Sequence, residues 1–223
     1  MENIQKNYEL ILSKINEIHK ASLFSKHKLP KLVAVSKKQE DCKIDMALAY
    51  GQKVFGENRV QEAANRWQKR IDIIEELELR LIGPLQTNKV KQSLNLFNVI
   101  ETVDREKIAI EISKNLNERT KSKSFYIQVN TGDEPQKSGI NPLEADTFIK
   151  YCIKDLKLPI VGLMCIPPVN EEPSMHFQLL KKIAIRNNLT ELSMGMSNDY
   201  EDAIKFGATS VRIGSLLFGE RQI

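Results

Sequence analysis

Residues 31–56 read KLVAVSKKQEDCKIDMALAYGQKVFG and contain the unit that decides the fold. The run Lys31–Ser36 is predicted to be a buried strand, because it is short, apolar and rich in valine. Asp41–Tyr50 is predicted to be a helix that begins at an acidic residue and stops before Gly51. A second short apolar run, Lys53–Gly56, follows it. A strand, a helix and a further strand in this order predict a parallel βαβ unit.

The same alternation continues along the chain. Six further apolar runs bring the predicted strands to eight: Arg80–Gly83, Asn98–Val103, Ser124–Asn130, Pro159–Ile166, Glu191–Met196 and Ser210–Ser215. Helices are predicted at Val60–Ile74, Asn88–Leu96, Asp104–Leu116, Asn141–Lys154, Glu172–Asn187 and Asn198–Phe206, and a short one after Gly214. Apolar residues at three- and four-residue steps in residues 2–27 predict one more helix before the first strand.

Eight strands that alternate with helices predict an α/β fold: a single (β/α)8 TIM-type barrel with the N-terminal helix, residues 1–27, packed on it. We expect one domain over residues 1–223, because the chain shows neither an internal repeat nor a low-complexity linker. A doubly wound open sheet is the alternative. It is less favoured because no GxGxxG motif follows the first strand.

Composition excludes several classes of function. The net charge is only +4, and lysine and glutamate alternate along the predicted helices, so no nucleic-acid interface is expected. Cys42, Cys152 and Cys165 have no metal-ligand or disulfide pattern. The longest apolar run, residues 160–166, is too short to span a membrane, and the first residues do not resemble a signal peptide. We expect a cytoplasmic monomer that contacts neither nucleic acid nor membrane.

The first candidate functional residue is Lys37. Functional sites of such barrels lie at the carboxyl ends of the strands, and Lys37 follows the first strand in the same phase as Val33 and Val35. Partial burial at an apolar rim lowers the pKa of a lysine amine and makes it a nucleophile, as Schiff-base chemistry requires. A surface lysine that merely closes a strand would show the same pattern.

The last two strands end in residues that suit an anion. Ser197 precedes the helix predicted from Asn198, and Gly214-Ser215 precedes the last short helix. Helix N-termini offer backbone N–H groups, and the loops after the seventh and eighth strands are the usual phosphate site of barrels. Ordinary helix capping would use the same residue types.

Arg212 interrupts the apolar eighth strand. It either points into the barrel mouth toward a ligand or forms a buried ion pair, with Glu101 or Asp104 as the acid. A nucleophilic lysine and a phosphate site together predict a carbonyl compound that carries a phosphate. Pyridoxal 5′-phosphate (PLP) fits this description, and so does a sugar phosphate in a class I aldolase.

Several motifs resemble, in matching order, those of the single-domain pyridoxal phosphate homeostasis proteins. They are VAVSK at 33–37, FGENRVQE at 55–62, IGPLQTNK at 82–89, KSG at 137–139, GLM at 162–164, LSMGMS at 192–197 and VRIG at 211–214. The resemblance runs from about Leu32 to Arg221. It implies a barrel similar to the N-terminal barrel of alanine racemase.

The resemblance also implies roles for individual residues. Lys37 would form a Schiff base with PLP. Its phosphate would be bound by Ser197, Gly214 and Ser215. Arg212 would lie beside the pyridine nitrogen, and Asn58 would line the pocket. The family usually has histidine two residues before the Ile-Gly of the third strand, where this chain has Arg80. Since Arg80 stands at the predicted start of that strand, we expect the change to affect stability or surface contacts more than binding.

We expect storage or delivery of PLP rather than catalysis. An arginine does not act as the acid that keeps the pyridine nitrogen protonated, which weakens the cofactor as an electron sink. Racemases of similar fold take a second base from another domain and a partner subunit, whereas this chain ends at Ile223, soon after the eighth strand. The expected partners are PLP and the apo-enzymes that accept it. The alternative is a PLP-dependent amino-acid racemase with Tyr126 or Cys165 as the base.

Overall fold

The computed structural model describes residues 4–219. Eight parallel strands close into a barrel in chain order, so that β1 pairs with both β2 and β8. The strands are β1 (Lys31–Val35), β2 (Val54–Glu57), β3 (Glu78–Leu81), β4 (Val99–Val103), β5 (Ser124–Gln128), β6 (Ile160–Met164), β7 (Glu191–Met196) and β8 (Ser210–Ile213). The predicted barrel is confirmed.

Helices surround this barrel. They are α1 (Ile4–Ala21), α2 (Asp41–Ala49), α3 (Val60–Ile71), α4 (Val90–Leu96), α5 (Glu106–Asn115), α6 (Ala145–Lys150), α7 (Pro173–Arg186), α8 (Tyr200–Lys205) and α9 (Ser215–Phe218). A 3-10 turn at Thr87–Lys89 precedes α4, and a π-helical turn at Tyr151–Asp155 extends α6. Among residues 4–219, no helix combines the length and apolar character needed to cross a bilayer.

Most predicted helices differ from the observed ones by one to three residues at an end, and two differ by four or more. The N-terminal helix ends at Ala21 rather than residue 27, because the Ser22 hydroxyl donates to the carbonyl of His19 and the chain turns there. Residues 1–3 of the predicted N-terminal segment lie outside the described part. Helix α6 begins at Ala145 rather than Asn141, because the Asn141 side chain accepts a hydrogen bond from the backbone N–H of Leu143 and forms a turn first.

The apolar core lies between the outer face of the barrel and the helices. Trp67, Phe55 and Phe177 are among its largest fully buried side chains. The buried isoleucines of α1 belong to the same core, and α1 packs against α2, α8 and α9. These three helices flank β1 and β8 in the chain. The N-terminal helix therefore supports the strand pair that closes the barrel.

The barrel interior is strongly polar at its centre. Arg80 on β3 and Glu101 on β4 form a buried ion pair of 2.8 Å. Glu101 also accepts a hydrogen bond from Ser193 on β7, and Arg80 donates one to Ser210 on β8. Since these strands are not neighbours, the bonds run through the interior of the barrel. Buried charges of this kind need partners, and here each finds one inside the barrel.

Candidate functional site

A cavity of about 480 Å³ opens at the carboxyl ends of the strands, within the range of about 300–1,000 Å³ that is usual for small-molecule sites. Its lining includes all six residues that the sequence singled out: Lys37, Asn58, Ser197, Arg212, Gly214 and Ser215. The connection between β6 and α7 forms another wall, through Pro167, Pro168 and Glu171 among others. The fold thus brings together residues from both ends of the chain.

Lys37 is half-buried and lies in a tight turn directly after β1. The backbone N–H of Gln39 donates to the carbonyl of Ser36 over 3.1 Å and closes the turn. The guanidinium of Arg66, on α3, donates to the carbonyls of Ser36 and Gln39 at 2.8 and 2.7 Å. One arginine therefore holds both sides of the turn that carries Lys37.

A buried carboxylate stands behind this turn. Glu57, the last residue of β2, is completely buried, and its Oε1 accepts hydrogen bonds from three groups. They are the Ser36 hydroxyl at 2.7 Å, the Arg66 guanidinium at 3.0 Å and the Trp67 indole N–H at 3.0 Å. Since hydrogen bonds to a charged acceptor are the strong ones, Glu57 anchors the end of β1 to α3. The ion pair between Glu57 and Arg66 was not among the contacts predicted from the sequence.

The end of the cavity that the sequence predicts to bind an anion lies after β7 and β8. The hydroxyl of Ser215 donates to that of Ser197 over 3.1 Å, so the two side chains face each other. Asp199 fixes the loop that carries Ser197, because its carboxylate accepts the backbone N–H of Met196 at 2.6 Å. Burial raises the pKa of the Asp199 carboxyl. The arrangement offers hydroxyl groups and, at the start of α9, backbone N–H groups.

Arg212 is 4% exposed, and its guanidinium makes two hydrogen bonds away from the cavity. Nη1 donates to the Ser193 hydroxyl at 2.7 Å and Nη2 to the carbonyl of Cys165 at 2.8 Å. The alternative of a direct ion pair with Glu101 or Asp104 is wrong. Glu101 reaches Arg212 only through Ser193, and Asp104 pairs with Arg105.

Asn58 follows β2 and lies against the loop that follows β3. A Cβ atom on Gly83 would stand 2.3 Å from the carbonyl oxygen of Asn58, so only glycine allows this approach. The side-chain oxygen of Asn58 is buried and has no hydrogen-bond partner among residues 4–219. An acceptor without a partner at a cavity wall fits a ligand that donates a hydrogen bond.

The chain is similar over nearly its whole length to proteins of one family. Residues 4–222 match the family model of the alanine racemase N-terminal domain. A pyridoxal phosphate homeostasis protein of Aquifex aeolicus is 40% identical and aligns with 77% of this chain and 78% of its own. Another, of Haemophilus influenzae, is 36% identical over 98% of this chain and 96% of its own. The chain belongs to the pyridoxal phosphate homeostasis protein family.

A solved structure agrees with this assignment. PipY of Synechococcus elongatus, in a structure with PLP bound, is 33% identical and superposes with a TM-score of 0.77. The match covers 92% of this chain and 100% of that one. The expected likeness to the alanine racemase barrel is confirmed by the family model.

Arg80 is the visible departure from this family's motifs, and its location differs from the expectation. The residue is 3% exposed, so it makes no surface contact. Strand β3 begins at Glu78, two residues before the predicted start, and Arg80 is therefore inside the strand. Although burial by itself lowers the pKa of Arg80, the nearby Glu101, Tyr126 and Glu78 raise it overall.

Proposed function

We propose that this protein binds PLP in the cavity at the ends of β1, β7 and β8 and serves the homeostasis of that cofactor in the cell, by storage or delivery. One observation carries the proposal: Lys37, Arg212 and the Ser197–Ser215 pair line the same cavity. The family membership and the PLP-bound PipY structure support it.

The residues present fit the chemical groups of PLP. Lys37 supplies the amine for a Schiff base with the aldehyde. The facing hydroxyls of Ser197 and Ser215, with Gly214 beside them, suit the phosphate. Arg212, whose guanidinium is held by Ser193, suits a position beside the pyridine nitrogen. The side-chain oxygen of Asn58, which has no partner among the described residues, suits a hydrogen-bond donor on the ligand.

The proposed role is non-catalytic. PLP supplies an electron sink when its ring nitrogen is protonated, and a permanently charged arginine beside that nitrogen opposes the proton. Neither base considered for a racemase fits the task. Burial raises the pKa of Tyr126, and it raises the pKa of the Cys165 thiol to about 12, so both groups hold their protons near neutral pH.

The cytoplasm is the expected location, and apo-enzymes that need PLP are the proposed recipients. The proposed form in solution is a monomer. Light scattering coupled to size-exclusion chromatography tests this form, and a mass of twice 25.5 kDa would contradict it.

The test uses the purified full chain and its absorbance spectrum after addition of PLP. We expect a visible band and a covalent adduct at Lys37 after borohydride reduction, located by peptide mass spectrometry. Lys37→Ala should abolish the adduct. Lys38→Ala is the matched control, because Lys38 is the exposed neighbour in the same turn, and it should leave the adduct intact.

Two results would overturn the proposal. One is a wild-type protein that shows neither the visible band nor a reducible adduct. The other is an adduct that survives Lys37→Ala on a different lysine.

A further inference from the structure

We propose that Ser193 and Glu101 are positioning residues that hold Arg212 at the cofactor cavity, and that Arg80 completes this arrangement from the opposite side of Glu101. The inference rests on the proposed function, since it assigns the way in which the PLP site of that function is held. It concerns residues that lie below the cavity, inside the barrel.

Four side chains form one continuous line across the barrel. Arg212 on β8 contacts Ser193 on β7 at 2.7 Å, and Ser193 contacts Glu101 on β4 at 2.6 Å. Glu101 contacts Arg80 on β3 at 2.8 Å. Glu101 and Ser193 are fully buried, and both arginines are less than 5% exposed. The line therefore connects the cavity wall with the centre of the barrel.

The direction of each hydrogen bond in this line is fixed by chemistry. A guanidinium only donates, so the Ser193 oxygen must accept from Arg212. Its single hydrogen is then free to go to Glu101, and a carboxylate only accepts. The bond from Ser193 to Glu101 leaves a lone pair of the hydroxyl oriented toward Arg212. Glu101 thus sets the orientation of the group that receives Arg212.

The positive charges of the two buried arginines also require an acid between them. Glu101 is the acid that contacts Arg80 from within the barrel, and Glu78 contacts Arg80 from the amino end of β3. Without Glu101, Arg80 and Arg212 would face the barrel interior as two buried cations that share no acid. The family's usual histidine could lose its charge at neutral pH, but Arg80 cannot. In this chain Glu101 therefore lies between Arg80, which it contacts directly, and Arg212, which it reaches through Ser193.

Arg212 is fixed at two points, Ser193 and the carbonyl of Cys165. Removing the Ser193 hydroxyl leaves the guanidinium with one anchor and freedom to turn away from the cavity. The positive charge then acts less directly on the pyridine nitrogen of PLP, and that nitrogen binds a proton more readily. A residue with a merely structural role would not change the protonation state of the nitrogen.

The experiment uses the full chain loaded with PLP that carries ¹⁵N in the ring. The variant is Ser193→Ala, with Ser193→Thr as the conservative rescue that keeps the hydroxyl. The matched control is Ser122→Ala, another fully buried serine whose hydroxyl donates to the carbonyl of Phe97, away from the cavity. Should Ser193→Ala fail to fold, Ser193→Cys keeps the side-chain size with a much weaker hydrogen bond.

Two readouts are expected to move together. Ser193→Ala should weaken PLP binding by about two- to tenfold, the equivalent of one hydrogen bond. It should also shift the ¹⁵N resonance of the pyridine nitrogen toward the protonated value. Ser193→Thr should restore both toward wild type, and Ser122→Ala should change neither.

Glu101 is tested by a double-mutant cycle. Glu101→Gln should weaken PLP binding in the wild-type background but have no further effect on binding in Ser193→Ala, because Glu101 acts on the site through that hydroxyl. Equal losses in both backgrounds would overturn the role of Glu101. A Ser193→Ala protein with wild-type affinity and resonance would overturn the role of Ser193. Failure of wild type to bind PLP at all would instead refute the proposed function.

Discussion

The hydroxyls of Ser197 and Ser215 lie 3.1 Å apart, one after β7 and the other after β8. Ser215 donates to Ser197, so the hydrogen of the Ser197 hydroxyl is available to a ligand. The two residues follow neighbouring parallel strands, so the pairing of β7 with β8 brings residues 18 positions apart into contact.

Ser197→Ala is expected to weaken binding of PLP by about two- to tenfold, since one neutral hydrogen bond contributes about 0.5–1.5 kcal/mol. Binding of unphosphorylated pyridoxal should hardly change, because that ligand lacks the phosphate that would accept a hydrogen bond from Ser197. Titration of both ligands by absorbance measures the difference. An equal loss for the two ligands would contradict a phosphate-binding role for Ser197.

Arg66→Lys is expected to lower the free energy of unfolding by about 2–3 kcal/mol, as removal of charge-assisted, partly buried hydrogen bonds does. It should also slow formation of the borohydride-reducible adduct, because the turn that carries Lys37 loses the hydrogen bonds from Arg66 to the carbonyls of Ser36 and Gln39. Urea unfolding and timed reduction give the two quantities. Arg70→Lys is the control: Arg70 lies one helical turn after Arg66, bonds the exposed carboxylate of Asp45 on α2, and should change stability by less than about 1 kcal/mol. Equal effects of the two substitutions would contradict the role of Arg66 in holding the turn that carries Lys37.

Gly83→Ala is expected to cost about 3 kcal/mol or more and to impair PLP binding, because its Cβ would collide with the backbone oxygen of Asn58. Gly51→Ala provides the comparison. Gly51 has a φ of +93° but open space around it, so alanine there suffers only the backbone strain of about 1–2 kcal/mol. Thermal unfolding ranks the two variants, and a larger loss for Gly51→Ala would contradict the close approach of Gly83 and Asn58.

Alkylation with iodoacetamide at pH 8 is expected to modify Cys42, which is exposed, and to spare Cys152 and Cys165. Burial raises the pKa of both buried thiols to about 12. Both groups are therefore protonated at pH 8, and nearly all of each stays protonated at pH 10, so the selectivity should persist there. Mass spectrometry counts the labels, and unfolding in urea should expose all three. Labelling of Cys165 in the folded protein would show that its burial is not maintained.

D- and L-alanine are expected to exchange the α-hydrogen more slowly than about 1 per second, the lower end of ordinary enzyme turnover. The reason is the charge of Arg212 and the absence of a deprotonated base at Tyr126 and Cys165 near neutral pH. Deuterium incorporation in heavy water and chiral chromatography measure exchange and inversion. Faster exchange with inversion would replace the carrier role by racemase activity.

The strands could be predicted because both faces of most of them are buried, which produces short continuous apolar runs such as residues 31–36. The same rule misplaced β3. Its first residues, Glu78 and Leu79, precede Arg80, and charged side chains that face a polar barrel interior interrupt the apolar pattern. Prediction from hydrophobic patterning assumes that strand residues facing the barrel interior are apolar. In this barrel some of them are charged and form ion pairs.

The cavity residues could be predicted because strand ends meet at one face of a barrel. Glu57 and Arg66 could not, since their ion pair depends on how α3 packs over the end of β1. The contact between Ser193 and Glu101 joins residues 92 positions apart and crosses the barrel. No local spacing encodes a bond of that kind. Only the closed sheet brings the two side chains together.

The pairing of β1 with β8 has a consequence for biosynthesis. A ribosome makes the strand that precedes Lys37 near the beginning of translation, and Arg212 and Ser215 emerge near its end. Until β8 has left the exit tunnel, the nascent chain has Lys37 but neither the guanidinium nor the hydroxyl of the opposite wall. Half-made chains therefore lack the complete cavity, and the proposed PLP site forms only in copies whose translation has passed Ser215.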